Sequence, residues 1–148
     1  MTNTTIVHNI GTGAGFASLG DAKLKNTIIA LHATENNCVG DQADITTLGH
    51  NLEDGDTCHF NVANNDQIYT DPLLVGDMPQ DNGGLTFTYG LRLFSPAIDA
   101  GSNPGCPVID QRGFPRPLDG DGDDVAVCDI GAFEANTLLV FYFPLIIK

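Results

Sequence analysis

Hydrophobic and polar residues alternate in short segments, and glycine or asparagine residues separate these segments. Residues 4–10 and 85–91 alternate clearly, and further strand candidates span residues 24–31 and 45–52. Alternation over a few residues is typical of β-strands, and glycine and asparagine favour the turns between them. No stretch keeps a helical period for three turns. The pattern therefore predicts a nearly all-β chain.

The spacing of these segments suggests how the strands are arranged. They recur roughly every 20 residues, which suits the coils of a solenoid but also a sandwich with long loops. The turns favour the solenoid, because asparagine side chains at equivalent positions of stacked coils can bond to each other and to the backbone. Five asparagines are candidates for such contacts: Asn26, Asn36, Asn37, Asn64 and Asn65.

Composition sets the scale of the molecule and excludes some partners. The chain has 148 residues, enough for one domain, and 42% hydrophobic residues, enough for a packed core. The chain has six basic and 19 acidic residues, which gives a net charge of -13. Such a chain repels nucleic acids and anionic membranes, whereas cations such as calcium are suitable partners. An acidic surface is also common on soluble secreted proteins.

The four cysteines indicate an oxidising environment. None stands in a CxxC pair, so a zinc site has no scaffold. Two local disulfides, Cys38–Cys58 and Cys106–Cys128, are predicted because crossed pairs would tie distant coils of a solenoid. The alternative is four reduced, buried thiols in a cytosolic protein. No signal peptide follows Met1, so the disulfide prediction implies a fragment of a longer exported polypeptide.

The longest apolar run, Leu138 to Ile147, lies near the C-terminus. It contains Pro144 and is shorter than the about 20 residues that a transmembrane helix needs. Its β-branched and aromatic residues predict an extended strand rather than a helix.

Several longer motifs carry a resemblance to a known family. They are Asp71–Leu74, Asp81–Thr86, Ser95–Gly101, Asp110–Gly113, Arg116-Pro117 and Cys128–Glu134. Together they resemble the C-terminal region of bacterial parallel β-helix repeat proteins of the choice-of-anchor Q type. Asn26–Ala30 and Gly49–Leu52 also fit that family, so the likeness covers residues 22–134.

The resemblance implies a right-handed parallel β-helix, export, and a C-terminal anchoring or sorting segment. On this basis residues 1–70 form coils of the β-helix, 71–134 form a last coil and an irregular, disulfide-linked cap, and 135–148 form an apolar tail. The ending Val140–Lys148 resembles short tails on secreted proteins of some filamentous bacteria. The expected location is extracellular or on the cell surface.

Two of the six basic residues, Arg112 and Arg116, lie within a set of charged residues near the C-terminus. The acidic members of this set are Asp99, Asp110, Asp129 and Glu134. The set predicts an ion-pair network that ties the last coil to the body, with Asp99 beside one of the arginines. The functional alternative is a clamp for sugar carboxylates or a pair of acid and base carboxylates.

The run Asp119-Gly120-Asp121-Gly122-Asp123-Asp124 has carboxylates at alternate positions of a glycine-rich loop. Calcium takes six to eight oxygen ligands, so Asp119, Asp121 and Asp123, with Asp124 as a fourth, are candidate ligands. The run departs from an EF-hand loop at its sixth and twelfth positions. The alternative is a solvated acidic turn.

No motif for nucleophilic catalysis is present, and the four histidines have no motif partner. There is no tryptophan to stack on sugars, and we predict that Phe60, Phe87, Phe94 and Phe133 are core residues. We therefore expect a non-catalytic surface module for adhesion or interaction with an unknown surface ligand. The alternatives are an end fragment of a polysaccharide lyase or glycoside hydrolase, and an assembly or sorting tag.

Overall fold

A computed structural model describes residues 1–10, 15–33, 36–40 and 44–136. The strands are short, and a 3₁₀ turn, Val62–Asn64, follows them. The strands are β1 (Thr5–Val7), β2 (Phe16–Ala17), β3 (Ala22–Leu24), β4 (Ile28–Ala30), β5 (Cys38–Val39), β6 (Ile45–Thr47) and β7 (Leu52–Glu53). For the described residues, the prediction of strands with almost no helix is confirmed.

All seven strands pair in parallel, in three sheets. The strand orders are β1-β4-β7, β2-β5 and β3-β6. In the first sheet Thr5 is opposite Ile28, and Ile28 is opposite Leu52. The chain therefore returns to the same sheet after passing through the two others. We call β1–β3 the first coil and β4–β6 the second coil.

Residues with positive φ form the corners between sheets. Asn26, at φ 47°, separates β3 from β4, and Gly49, at φ 91°, separates β6 from β7. The predicted single strands over 24–31 and 45–52 are therefore each two strands, because a left-handed residue turns the chain sharply. Asn26 Nδ2 donates to Asn3 Oδ1 at 3.2 Å, which is a contact between stacked corners of the kind predicted for Asn26.

The inside of the coils is a hydrophobic core. Alternate strand residues point to opposite faces of a sheet, so Ile29 of β4 points inward and its neighbours Ile28 and Ala30 point outward. The buried members of this inner core are Leu24, Ile29, Cys38, Ile45, Cys58 and Phe60.

A second core lies on the outer face of the β1-β4-β7 sheet. There Ile28, Ala30 and Leu52 pack against Ala97 and Ile130 of the C-terminal region. The Gly131 N–H donates to the Asn26 carbonyl at 2.8 Å, and the Ala132 N–H donates to Thr5 Oγ1 at 2.9 Å. The C-terminal region thus covers the side of the coils.

Glycine is required at the closest of these approaches. Gly131 has a φ of 102°, and a Cβ there would lie 2.7 Å from Thr5 Oγ1 and 2.8 Å from Ile28 Cδ1. Any larger residue would push the C-terminal region away from the sheet.

The predicted strand over 85–91 is wrong. Thr88 forms an isolated bridge to Gln80, and Leu91 forms one to Leu74. Leu85 is fully exposed and Phe87 is 63% exposed, so this alternation does not mark one buried face. Phe94 is also exposed, which corrects the prediction that Phe87 and Phe94 are core residues. The predicted tail strand lies outside the described residues.

No helix in the described residues is long and apolar enough to cross a membrane.

Candidate functional site

The charged residues predicted near the C-terminus are brought together beneath the surface of the C-terminal region. Asp110, Arg112, Arg116, Asp129 and Glu134 are all buried, and Asp129 and Glu134 have no exposed surface. Such charges are costly to bury unless they are paired and hydrogen-bonded. Nearly every polar atom of this set has a partner, as follows.

Arg112 is held by a carboxylate and by two aromatic rings. Its guanidinium lies 2.7 Å from Asp110 Oδ2, and Nη2 also donates to the Glu134 carbonyl. The guanidinium carbon lies 3.6 Å from the centre of the Phe133 ring and 4.5 Å from that of Phe114. Arginine fits this position because its flat guanidinium can stack and donate at the same time.

Arg116 pairs with Glu134, at 3.4 Å between Nη1 and Oε2. Its Nη2 donates to the Gly131 carbonyl at 2.9 Å, whereas its buried Nε has no hydrogen-bond partner. Burial lowers the pKa of Arg116 and raises the pKa of Glu134, and in both groups it outweighs the attraction of the opposite charge.

Asp99 does not pair with an arginine, which corrects the prediction that it lies beside Arg112 or Arg116 as an ion pair. Its carboxylate accepts the N–H groups of Gly120 at 2.9 Å and Asp121 at 2.8 Å, and that of Val127 at 3.4 Å. Asp99 therefore organises the acidic loop that follows Asp119. Partial burial raises its pKa despite these donors.

Asp129 is the most perturbed carboxyl group of the set. Burial, followed by the negative charge of Glu134, raises the pKa of Asp129 to about 8. The N–H groups of Asp99 and Ala135 donate to the two carboxylate oxygens, and these hydrogen bonds lower the pKa. Burial and the charge of Glu134 outweigh them. A carboxyl group with this pKa is mostly protonated at neutral pH, which reduces the negative charge next to Glu134.

This arrangement favours structure over acid–base catalysis. General acid–base catalysis requires that the carboxyl group reach the substrate. Asp129 and Glu134 are fully buried, and Asp110 is only 6% exposed, so a polysaccharide chain cannot contact them in this conformation.

The acidic loop brings two of its four predicted ligands together and adds a third from elsewhere. Carboxylate oxygens of Asp99, Asp119 and Asp121 lie within 4.8 Å of one another. Asp123 and Asp124 lie outside this group. Asp123 Oδ1 instead accepts the Val125 N–H at 2.8 Å, and the Asp124 N–H donates to Asp119 at 2.9 Å. Three carboxylates suit a hard cation such as calcium, but acidic loops often hold none.

The disulfides join the predicted pairs. Cys38–Cys58 spans 20 residues with 4.9 Å between the Cα atoms, and Cys106–Cys128 spans 22 residues with 6.6 Å between them. The Cys38–Cys58 bond lies in the inner core, and the Cys106–Cys128 bond joins two segments of the C-terminal region.

Two buried carboxylates in the coils were missed in the sequence. Glu53 has no exposed surface and accepts the N–H groups of Thr57 at 3.0 Å and Cys58 at 3.2 Å. Asp66 accepts the backbone N–H groups of Asn51 and Asn61 at 2.8 and 2.9 Å. Both carboxylates satisfy backbone donors in the segment that follows the second coil. No sequence motif signals them, although the nearby asparagines indicated polar turns.

Comparison with known protein families, curated proteins and solved structures finds no match to this chain. Its function is therefore inferred from the residues and contacts described above.

Proposed function

We propose that this chain is the C-terminal part of a right-handed parallel β-helix protein, and that it serves as a non-catalytic, exported module for adhesion or interaction at the cell surface. The observation that carries the proposal is the stacking of the second coil on the first, strand on strand, in three parallel sheets. Crossover connections between parallel strands of one sheet are right-handed in the great majority of folds. Two disulfides suit an oxidising, extracellular location.

The two ends of the coil stack differ, which supports a place at the end of a longer solenoid. The N–H groups of Phe16 and Ser18 both point to the second coil, at 2.9 and 3.2 Å from their acceptors. Alternation along the strand directs the backbone groups of Ala17 the other way, and among the described residues the outer edge of β2 has no strand partner. At the opposite end, Phe60 and Ile68 close the inner core, and the chain leaves the stack.

The burial of Asp110, Asp129 and Glu134 keeps these carboxyl groups from a substrate, which supports a binding role over catalysis. The alternative, an end fragment of a polysaccharide lyase or glycoside hydrolase, is favoured by one observation. Phe87 and Phe94 are exposed, at 63% and 84%, and exposed aromatic rings can stack on sugars. Stacking alone provides binding, so these rings fit an adhesive module as well.

The proposal is tested by comparing binding with turnover. The oxidised protein is immobilised and exposed to neutral and acidic polysaccharides, and the supernatant is analysed for new reducing ends or unsaturated sugars. We expect retention of at least one polysaccharide, or of whole cells, without products. A Phe87→Ser/Phe94→Ser double variant is expected to bind less, and a Val108→Ser variant, which alters another exposed apolar residue, is the control.

Products that appear in proportion to the protein concentration would overturn the non-catalytic role. A crystal structure in which the three sheets do not coil, or coil with left-handed connections, would overturn the β-helix.

A further inference from the structure

An apolar groove lies in the C-terminal region, lined by residues between Val75 and Asn136. Its volume is about 560 Å³, and a smaller hollow of about 270 Å³ continues it past Leu93 and Ile98. The apolar residues that line the groove are Val75, Leu91, Leu93, Ile98, Phe133 and Ala135. We call the two connected hollows the Leu93 groove.

The chain itself enters this groove at a fixed point. The segment before the exit is anchored, because the Glu134 N–H donates to Asp110 at 3.1 Å and the Ala135 N–H donates to Asp129. Asn136, the last described residue, lines the groove. The last described residue therefore lies at the groove and not at a distant point of the surface.

The following residues have the composition that such a groove accepts. Residues 138–147 are apolar apart from the Tyr142 hydroxyl, and the segment 137–148 has no acidic residue in a chain with a net charge of -13. Leu138 is only two residues beyond Asn136, within about 7 Å of extended chain. Left in water, a segment of this composition is prone to aggregate.

We propose that the Leu93 groove is the binding site for the protein's own C-terminal segment, residues 138–147, within the same molecule. In this proposal the side chains of the segment bind between Leu91, Leu93 and Phe133, and Phe133 is held by its stack on Arg112. The segment is thereby stored on the folded protein until a sorting or anchoring partner removes it. The intramolecular binding is independent of the proposed surface function, whereas its release rests on that proposal.

A single tryptophan tests the binding, because the chain contains none. Phe141→Trp is introduced into the full-length oxidised protein, and tryptophan emission and quenching by acrylamide are measured at several protein concentrations. We expect blue-shifted emission and several-fold weaker quenching than in urea, with no dependence on concentration. Leu93→Glu, which places a charge in the groove, is expected to restore strong quenching.

The matched control is Leu85→Glu, which adds the same charge at a fully exposed leucine that does not line the groove. It is expected to leave the tryptophan protected. Leu93→Ser is the second groove variant if Leu93→Glu fails to fold, as judged by circular dichroism. Three outcomes would overturn the proposal: equal quenching in the parent and both groove variants, protection that disappears on dilution, or protection only with phosphatidylglycerol vesicles. The second would indicate exchange between copies, and the third a membrane-bound tail.

Discussion

Glu134 connects several parts of the C-terminal region through a single side chain. Its carboxylate accepts the N–H groups of Leu118 and Asp129 at 2.9 and 3.0 Å, and it pairs with Arg116. Its own N–H and carbonyl bind Asp110 and Arg112. Because the residue has no exposed surface, these bonds have little competition from water.

The raised pKa of Asp129 predicts an unusual pH dependence of stability. Its pKa is about 8 in the folded protein against an ordinary 3.8, so between these values the folded state holds a proton that the unfolded state has lost. Stability is therefore expected to fall as pH rises from about 4 to 8. Raised pKa values of Glu53, Asp99 and Glu134 act in the same direction. The melting temperature measured from pH 4 to 9 checks this.

Asp129→Asn cannot ionise, so it is expected to flatten the decline even if it lowers the melting temperature at pH 4. The control is Asp123→Asn, which changes an exposed acid and should keep the slope of the parent protein. A melting temperature that rises steadily from pH 4 to 8 in the parent protein would contradict the prediction.

The residues at the corners between sheets explain where individual strands begin and end. Gly49 was a visible interruption in the sequence. Asn26 was a candidate for contacts between turns but was also placed inside a predicted strand, since asparagine adopts a left-handed conformation only where its surroundings favour it. At Asn26 the surroundings are distant in sequence. Its side chain bonds to Asn3 and, across 76 residues, to both backbone groups of Ser102.

Asn26→Ala is expected to destabilise the protein by about 2 kcal/mol more than Asn65→Ala, because it removes buried hydrogen bonds. Asn65 is the matched control, since it also has positive φ, at 60° against 47°, but is exposed. The strain of alanine in the left-handed region is thus common to both variants. Urea unfolding of the oxidised proteins measures the difference, and equal losses would show that the corner bonds contribute nothing.

The disulfides are expected to stabilise two separate elements by similar amounts. Each closes a loop of 20 or 22 residues, worth about 3 kcal/mol in the chain-entropy model. Replacing Cys38 and Cys58 by alanine, or Cys106 and Cys128, should therefore lower the unfolding free energy by about that amount in each double variant. Peptide mapping without reductant is the direct check. Fragments that join Cys38 to Cys106 or Cys128 would show that the pairing is different.

The whole molecule is organised around one central sheet, β1-β4-β7, with the inner core on one face and the C-terminal region on the other. The sequence predicted the coils through alternation and polar turns, because both are local signals. It could not predict the second core, since the covering residues Ala97 and Ile130 contact a sheet formed far earlier in the chain. Leu85 and Phe87 alternate like strand residues but lie exposed, so alternation without a covering element was misleading.

The sequence also predicted the candidate site only in part. The run from Asp119 to Asp124 is visible in the sequence, and so is the density of charge around Arg112 and Arg116. The partners of these residues could not be predicted from the sequence. Asp99 binds backbone N–H groups of the acidic loop, and Glu134 binds Arg116. Backbone donors have no residue signature, so a carboxylate that binds them cannot be recognised from spacing.

Calcium binding at the acidic loop stays a prediction, and the geometry sharpens its test. Calcium that binds only the folded state adds about 2.7 kcal/mol at a hundredfold excess over Kd, so millimolar calcium should raise the melting temperature. Asp121→Asn should abolish the rise, since Asp121 lies in the cluster with Asp99 and Asp119. Asp123→Asn, outside the cluster, should retain it. An unchanged melting temperature in the parent protein would indicate a merely solvated turn.

The regular spacing of the corners has a consequence for how such a gene can change. Asn3 and Asn26 are 23 residues apart, and Thr27 and Asn51 are bonded across 24. Duplication or loss of a whole coil in the DNA would preserve every corner, and the new unit would meet only its neighbours. Insertion of a single codon immediately before β4 would instead turn Ile28, Ile29 and Ala30 to the opposite faces and expose both cores at once. Lineages of this protein should therefore differ in length by whole coils and rarely within a strand.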